Sequence, residues 1–342
     1  MRKRYYVLKQ FYQKIHVALI PEEKGCDVII VGVKNKKLLY KEHRYFDDPE
    51  PTAVLFAYIR KFIERSALYY ISILNPDSNQ GAIEGCSLLD VNKEGAVSLC
   101  RNQKWMIYAS VREIEFLKNR YDRVGLDFIF SPFSVIEQFF ADKIGGDFAL
   151  YALAQKDSFS VAFFEKGRLE FAHHYPMNPS RMTEEVPVSF DIDIMHEEEE
   201  HGIRLDDIES LDDLDIIDDL DDLSDIEDLD ALEDIVEFSE DIQTSEEQPV
   251  HEANGREMKE QMDRFNKDYR RFELIQKTLS QFYAGEHCHN RFVEKVYIAD
   301  AYGSGAELKR FLEEELFLSV MIRKIELGDV VIALSQIEEE GL

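Results

Sequence analysis

Short runs of apolar residues alternate with turn-forming residues over the first 75 positions of the chain. Runs rich in Val, Ile and Leu predict three strands, and PEEKG and NKK between them predict tight turns. Pro51 then opens a segment with helical apolar spacing, and Asn75-Pro76 ends one further buried strand. The predicted strands are 16–20, 27–33, 38–40 and 69–74, and the apolar face of the helix carries Val54, Leu55, Tyr58, Ile59 and Phe62.

The middle of the chain is less regular. Residues 77–103 are polar and contain glycine, which predicts a loop with at most one hairpin. After that stretch the pattern predicts a strand, an amphipathic helix, a strand and a helix, at 105–109, 111–121, 125–130 and 133–141.

The second half repeats the opening pattern. Three predicted strands are joined by the short turns QKD and EKG. Much further on, apolar residues from Met258 to Phe282 step by three or four, which predicts a long amphipathic helix. The three strands are 148–154, 158–164 and 169–174, and after the long helix come a strand at 293–299, a helix at 306–316, a strand at 317–322 and a closing helix or strand at 330–337.

Each half thus reads as a meander of three strands followed by helix, strand and helix. Two such halves predict an α/β protein with mixed sheets, first antiparallel and then parallel. This duplicated β-β-β-α-β-α order is that of the actin-like (ribonuclease H-like) fold, in which nucleotide lies in the cleft between the lobes. The predicted first lobe is 1–145, with a small inserted strand–helix subdomain near 100–130; the second lobe is 146–342, with an acidic insertion at 185–252.

The acidic insertion holds most of the charge of the chain. Residues 191–247 contain 27 Asp and Glu and only Arg204 as a cation, so 26 of the 29 net negative charges lie there. Such dense like charge predicts a disordered, low-complexity surface insertion. Apolar residues recur in it at every third position from Leu205 to Phe238, so a segment that folds against a basic, apolar groove of a partner is the second interpretation. Its sign excludes nucleic acid and an anionic membrane as its targets.

Other chemistry-bearing residues give weaker signals. The four cysteines have no paired spacing, which predicts reduced thiols in a cytosolic chain without disulfides. GEHCHNR at 285–291 places His, Cys and His in adjacent positions that cannot all reach one ion, so a polar loop is expected there. His173 and His174 are adjacent in a predicted strand and should point to opposite faces. We therefore expect no metal site. No stretch approaches 18 apolar residues and no signal peptide is evident, which predicts a soluble protein.

Several segments resemble the PilM family, the cytoplasmic actin-like proteins of type IV pilus assembly, and the similar cytoplasmic half of GspL from type II secretion. The resemblance covers about residues 105–325 without the insertion. It rests on VGLDFIFSPFSVIEQFF (124–140), DFALYALAQKDSFSVAFFEKGRLEFAHHYP (147–176), LIQKTLSQFY (274–283) and KVYIADAYGSGAELKRFLEEEL (295–316).

The resemblance implies a nucleotide site that has degenerated. Actin-like ATPases carry an Asp-x-Gly turn after the first strand of each lobe, because glycine lets the backbone approach the phosphates and the aspartate engages the metal. The first turn here, IPEEKGCD, lacks that pattern, and the second, AQKDSFS, keeps Asp157 but has Phe159 in place of glycine. The candidate nucleotide-binding residues are Asp157, Ser158, Asp300, Gly303, Ser304 and Gly305, and an intact site would take ATP and Mg²⁺.

The first functional hypothesis is a non-catalytic cytoplasmic scaffold, held at the inner membrane by a PilN-like single-span protein, in a machine for type IV pili, type II secretion or DNA uptake (competence). The acidic insertion would be a second contact, with a basic surface of the assembly motor ATPase. The second hypothesis is an active actin-like ATPase or kinase that binds ATP–Mg²⁺ between its lobes through Asp157, Asp300 and the 303–305 turn. A third is an unrelated α/β protein of similar texture.

Overall fold

The computed structural model describes residues 12–86, 95–177, 251–285, 291–303 and 305–341, with the backbone alone at 251–260. The elements described below belong to one compact unit, formed by residues 1–183 and 257–342. The exception is the first part of the helix His251–Ala284, whose residues 251–256 fall in the other unit, 184–256. The acidic insertion, residue 304 and the histidine-cysteine tract at 286–290 lie outside the described residues.

The first sheet contains five strands in the order β3-β2-β1-β4-β8. Strands β1, β2 and β3 form an antiparallel meander, and β4 and β8 then add parallel to β1. The strands are β1 Lys14–Glu22, β2 Gly25–Lys34, β3 Lys37–Phe46, β4 Leu68–Leu74 and β8 Phe128–Phe130, and helix α1, Ala53–Ile63, connects β3 to β4.

The second sheet repeats this topology in the order β11-β10-β9-β12-β13. Strands β9, β10 and β11 are antiparallel, and β12 and β13 follow parallel to β9. Its elements are β9 Ala149–Ala154, β10 Ser158–Glu165, β11 Arg168–Pro176, helix α4 His251–Ala284, β12 Lys295–Asp300, helix α5 Ala306–Glu315 and β13 Ser319–Lys324. The duplicated order predicted from the apolar pattern is therefore present.

A third, small sheet corrects the loop predicted at 77–103. Strands β5, Gln80–Glu84, and β6, Ala96–Arg101, flank β7, Trp105–Ser110, and helix α2, Val111–Arg120, follows. The sequence hides β5 and β6 because both are short and partly exposed and carry Gly, Ala, Ser and charged residues, which have little strand propensity.

The absence of disulfides was also a wrong prediction. Cys86 and Cys100 are bonded, with their Cα atoms 5.4 Å apart. Cys100 is opposite Met106 on β7, and Cys86 lies two residues beyond Glu84, the partner of Trp105 on the other side of β7. A separation of 14 positions gives no hint that the two residues meet, because the meeting depends on the strand order of the small sheet.

Two helices join the two large sheets through one apolar core. Helix α3, Pro132–Phe139, and the closing helix α6, Leu327–Gly341, both contribute to it. Phe133 and Val331, one from each helix, pack in the same cluster as Ala18 of β1 and Tyr151 of β9. The closing element is thus a helix, and it returns to the first sheet, where Ser335 lies 2.9 Å from Nδ1 of the buried His16.

The edge strand β3 is longer than the sequence predicts. It runs through KLLYKEHRYF, and every residue but Phe46 is at least partly exposed. Charged side chains on an unpaired edge discourage pairing with other chains, and they also break the apolar run that would reveal the strand.

Candidate functional site

A cavity of about 550 Å³ lies where the β1–β2 turn approaches the β9–β10 turn. These two turns occupy the positions where the resemblance expects Asp-x-Gly turns; the first lacks that pattern, and the second contains the candidates Asp157 and Ser158. The cavity is lined by six carboxylates and two cations: Glu22, Glu23, Glu50, Asp77, Glu113, Asp157, Lys156 and Arg120. This excess of negative charge opposes entry of a nucleoside triphosphate.

The two turns are bound directly to each other. The Lys156 ammonium lies 2.7 Å from Glu22 Oε2, and the Glu23 amide donates a 2.6 Å hydrogen bond to Asp157 Oδ2. Burial alone lowers the pKa of Lys156, but the hydrogen bond and charge of Glu22 outweigh it, so the pKa is raised. The lysine therefore stays charged and paired at neutral pH.

Asp157 and Ser158 are thus engaged inside the protein. The Asp157 carboxylate accepts a hydrogen bond from the Glu23 amide of the opposite turn. The Asp157 backbone carbonyl accepts one from the Met177 amide at 2.9 Å. The Ser158 hydroxyl donates to Gln155 Oε1 at 3.1 Å, within its own turn. Both residues line the cavity, as a phosphate-binding turn would, but their polar groups hold the two turns together.

The second candidate turn follows β12. Because β12 runs parallel to β9 and Asp300 is in register with Ala154, this turn lies beside the β9–β10 turn. Asp300 Oδ1 accepts from the amides of Tyr302 and Gly303 at 3.0 and 3.1 Å, which closes a local turn. Burial raises the pKa of Asp300, and these amides oppose that shift. Of the candidate residues here, Asp300, Gly303 and Gly305 are described and Ser304 is not.

The amino terminus of helix α5 is occupied by a carboxylate of the protein itself. Asp268 of helix α4 accepts from the Gly305 amide at 2.8 Å and from the Leu308 amide at 3.4 Å through Oδ2. Free amides and the helix dipole at this position would attract an anion, and Asp268 supplies it. Gly305 has φ 117°, which favours glycine, and brings the backbone close to Asp268.

Arg271 connects this cap to the β9–β10 turn. It is fully buried, and its guanidinium lies 3.2 Å from Asp268 Oδ1 and donates to the Gln155 carbonyl at 2.8 Å. Burial lowers its pKa, and the charge of Asp268 opposes the shift. Neither residue was among the candidates, although a signal for both exists: two charged residues occupy the stripe of α4 that also holds Phe272, Ile275 and Leu279.

A buried serine–histidine pair lies next to the cavity. Ser160 Oγ is 2.8 Å from His174 Nδ1, and His174 lines the cavity while Ser160 is fully buried. Burial lowers the pKa of His174 to about 4, so the ring is neutral at pH 7. A nucleophile must reach its substrate, so a fully buried hydroxyl makes this pair structural. The His173 ring instead contacts the Tyr175 ring, with 4.1 Å between the ring centroids, so the two histidines have different neighbours.

No group of three or more His, Cys, Asp or Glu side chains within the described ranges could hold a metal ion. In the same part of the chain, no helix has both the length and the apolar content needed to cross a membrane.

These features define an α/β protein with the actin-like fold, as predicted from the duplicated strand order. The chain belongs to the family described as Domain of unknown function (DUF8341), which matches residues 150–340. A second family, Domain of unknown function (DUF8569), matches residues 11–137. No curated protein matches the chain.

Three solved structures match 94–96% of the chain. A PilM-PilN type IV pilus biogenesis complex is 12% identical, with 94% of this chain and 96% of the other covered and a TM-score of 0.50. A Bacteroides thetaiotaomicron protein with an actin-like ATPase fold and unknown function is 11% identical over 96% and 98%, with a TM-score of 0.45. The ethanolamine utilization protein EutJ from Carboxydothermus hydrogenoformans is 11% identical over 94% and 89%, with a TM-score of 0.39. At these identities the likeness concerns the fold.

Proposed function

We propose that this protein is a non-catalytic, actin-like scaffold of an inner-membrane assembly platform, and that it binds a PilN-like single-span membrane protein. The machine would be one that builds type IV pili, secretes proteins by the type II route or takes up DNA. In this proposal the protein is cytoplasmic and is held at the membrane by its partner. The fold shared with the PilM-PilN complex supports the choice of partner.

One observation carries the non-catalytic part of the proposal. The two turns that hold phosphates in an actin-like ATPase are joined here by Lys156–Glu22 and by the Glu23 amide on Asp157. A triphosphate between these turns would have to break both interactions and lie among the carboxylates of the lining. The desolvation and repulsion of that placement oppose binding.

The third nucleotide element supports the same conclusion. A phosphate or ribose at the Gly303–Gly305 turn would compete with Asp268, which already satisfies two amides at the start of α5. Because Asp268 is also paired with the buried Arg271, displacing it would remove the carboxylate that lies 3.2 Å from a buried guanidinium.

Helix α2 offers the surface for the partner tail. Phe116 is 54% exposed, and together with Leu117 it lines the cavity beside Pro49 and Pro76. Glu113 and Arg120 flank this apolar strip on the same helix. An apolar strip bordered by charges of both signs fits a short amphipathic segment, and in this proposal the cytoplasmic tail of the partner supplies that segment.

The acidic segment 191–247 provides the second contact. Its 26 net negative charges would be attracted to a basic surface, and we assign it to the assembly motor ATPase. The chemistry that recognises it is a cluster of Lys and Arg beside an apolar groove, since apolar residues recur at every third position.

Calorimetry with Mg²⁺–ATP on the full chain tests the non-catalytic assignment. We expect no binding heat, and the Asp157→Asn variant should behave identically. Micromolar affinity with measurable hydrolysis, lost in Asp157→Asn, would overturn the scaffold in favour of the actin-like ATPase or kinase.

Partner binding is tested with the cytoplasmic peptide of the PilN-like protein encoded nearest to this chain in its genome. We expect Phe116→Ala to weaken binding at least ~10-fold, as truncation of a central aromatic anchor does. The matched control is Phe292→Ala, because Phe292 is 73% exposed but precedes β12 at the opposite end of the second sheet. Equal affinity of wild type and Phe116→Ala would contradict the assigned surface.

A further inference from the structure

The small sheet contains a bonded pair of cysteines in an accessible position. Cys100 is exposed on β6, and Cys86, just after β5, is partly exposed. A reductant in solution can therefore reach the sulfurs without unfolding of the protein. Cys26 is the contrasting case, since it is buried and burial raises the pKa of its thiol to about 12, which makes it unreactive.

The site also accommodates the reduced state. Cys86 Sγ lies 3.2 Å from the carbonyl oxygen of Trp105, on the central strand β7. When the bond is open, the Cys86 thiol has this carbonyl as a hydrogen-bond acceptor. Cys100 can hydrogen-bond to water because it is exposed. Neither redox state then leaves a buried polar group without a partner.

The bond lies within a connected group of elements. Arg101, next to Cys100, lies 3.0 Å from Glu137 of α3 and 3.1 Å from Glu338 of α6. At the other end of β6, the Val111 amide that begins α2 donates to the Gly95 carbonyl at 2.7 Å. Strand β6 thus connects the helices of the central core to the start of α2, and the bond to Cys86 is its covalent attachment to the β5 side of the sheet.

We propose that Cys86 and Cys100 form a reversible thiol–disulfide switch that sets the order of the small sheet. Oxidation uses a small disulfide such as glutathione disulfide. The Cys100 thiolate attacks one sulfur of glutathione disulfide and releases one glutathione; the Cys86 thiolate then attacks the Cys100 sulfur and releases the second. Two electrons and two protons pass from the protein to glutathione disulfide, which becomes two molecules of glutathione, and a dithiol reductant reverses the reaction. Any effect on partner binding at α2 rests on the proposed function.

The switch is tested on the native full chain in glutathione buffers of graded ratio, with free thiols trapped by a maleimide and counted by mass spectrometry. Cys26→Ser serves as the matched control and should titrate as the wild type does. We expect the bond to open and close reversibly without denaturant, with both thiols trapped together. A bond that opens only after unfolding, or that never forms with glutathione disulfide, would overturn the proposal.

Hydrogen exchange measures the structural consequence. The bond closes a ring of about 15 residues, which corresponds to roughly a 100-fold change in the opening equilibrium of the enclosed segment. We expect reduction, or the Cys86→Ser/Cys100→Ser variant, to accelerate amide exchange in β6 by about that factor, with β1 and β9 unchanged. Equal exchange in both states would contradict control of the sheet by the bond. Since this measurement uses neither nucleotide nor partner, its outcome is independent of the scaffold assignment.

Discussion

Lys156 and Glu22 join the two halves of the duplicated fold, with 2.7 Å between the ammonium nitrogen and the carboxylate oxygen. Glu22 is the last residue of β1 and Lys156 follows β9, so each residue lies at the first turn of its own sheet, the position where an actin-like ATPase approaches phosphate. The same turns are further linked through the Glu23 amide and Asp157. Groups that would face a ligand in an enzyme therefore face each other here.

The strength of this link can be predicted from its exposure. Both side chains are about a quarter to a third exposed, so solvent screens the pair. We expect Lys156→Met to lower the free energy of unfolding by no more than about 1 kcal/mol. The measurement is urea unfolding at low salt, with Lys24→Met, an exposed lysine of the opposite turn, as control. A loss of several kcal/mol would show that the pair contributes substantially to stability.

We expect Asp268 to contribute far more to the free energy of unfolding than the Lys156–Glu22 pair does. Asp268→Asn keeps the shape of the side chain but removes the carboxylate charge beside the fully buried Arg271 and weakens the cap on α5. Breaking a buried pair in this way costs about 3–5 kcal/mol. Asp263→Asn, an exposed aspartate of the same helix, should change the free energy of unfolding little. Similar unfolding midpoints for the two variants would contradict the assigned role of Asp268.

The contrast between these residues shows what the sequence could and could not reveal. The strand and helix order of the two large sheets follows from apolar periodicity, because burial on one face imposes a period of two or about 3.6. The role of Asp268 depends on α4 lying against the start of α5, two elements brought together only by the second sheet. The same holds for the Cys86–Cys100 bond, which requires β5 and β6 to flank β7. The sequence of its turn predicts Asp157 as a residue that binds phosphate or metal, but its carboxylate accepts from an amide of the opposite turn, a contact that no local pattern encodes.

The buried His174 predicts an acid sensitivity. Its pKa falls to about 4 because of burial, whereas an unfolded histidine titrates near pH 6.5. Between these values the unfolded chain binds a proton that the folded chain does not, so stability is complete above about pH 6.5 and decreases as the pH falls towards 4. At pH 5 the loss attributable to His174 is about 2 kcal/mol.

The measurement compares urea unfolding at pH 7 and pH 5 for the wild type and His174→Gln. The variant should be less stable than the wild type at pH 7, because the contact with Ser160 is altered. Between pH 7 and pH 5, however, its free energy of unfolding should decrease by about 2 kcal/mol less than that of the wild type. Other groups titrate in both proteins, so the difference between their pH dependences reports on His174 alone. An identical pH dependence would contradict a neutral, buried imidazole.

Gly328 allows helix α6 to approach the first sheet. A Cβ at this position would lie 2.3 Å from Ile29 Cδ1, whereas a Cβ at Gly341 in the same helix would meet no atom within 4 Å. We expect Gly328→Ala to destabilise by about 1–3 kcal/mol through overpacking. Gly341→Ala should be neutral or slightly stabilising, because alanine has the higher helix propensity. The measurement is the melting temperature of the two variants. Equal melting temperatures would show that the Ile29 side chain moves aside without cost.

Removal of residues 191–247 should separate stability from association. We expect the deletion to leave the melting temperature nearly unchanged, because a sequence with this density of carboxylates is not one that contributes to a core. The net charge of the chain changes from −29 to about −3. In pulldowns from the native host, the shortened protein should keep the PilN-like partner and lose the motor ATPase, because only the second contact depends on the lost carboxylates. A control in which the Asp and Glu residues of the segment are changed to Asn and Gln tests charge at constant length and should lose the same partner. A large drop in melting temperature on deletion would show instead that the segment is structural, and retention of the motor ATPase by both variants would remove it from the proposed second contact.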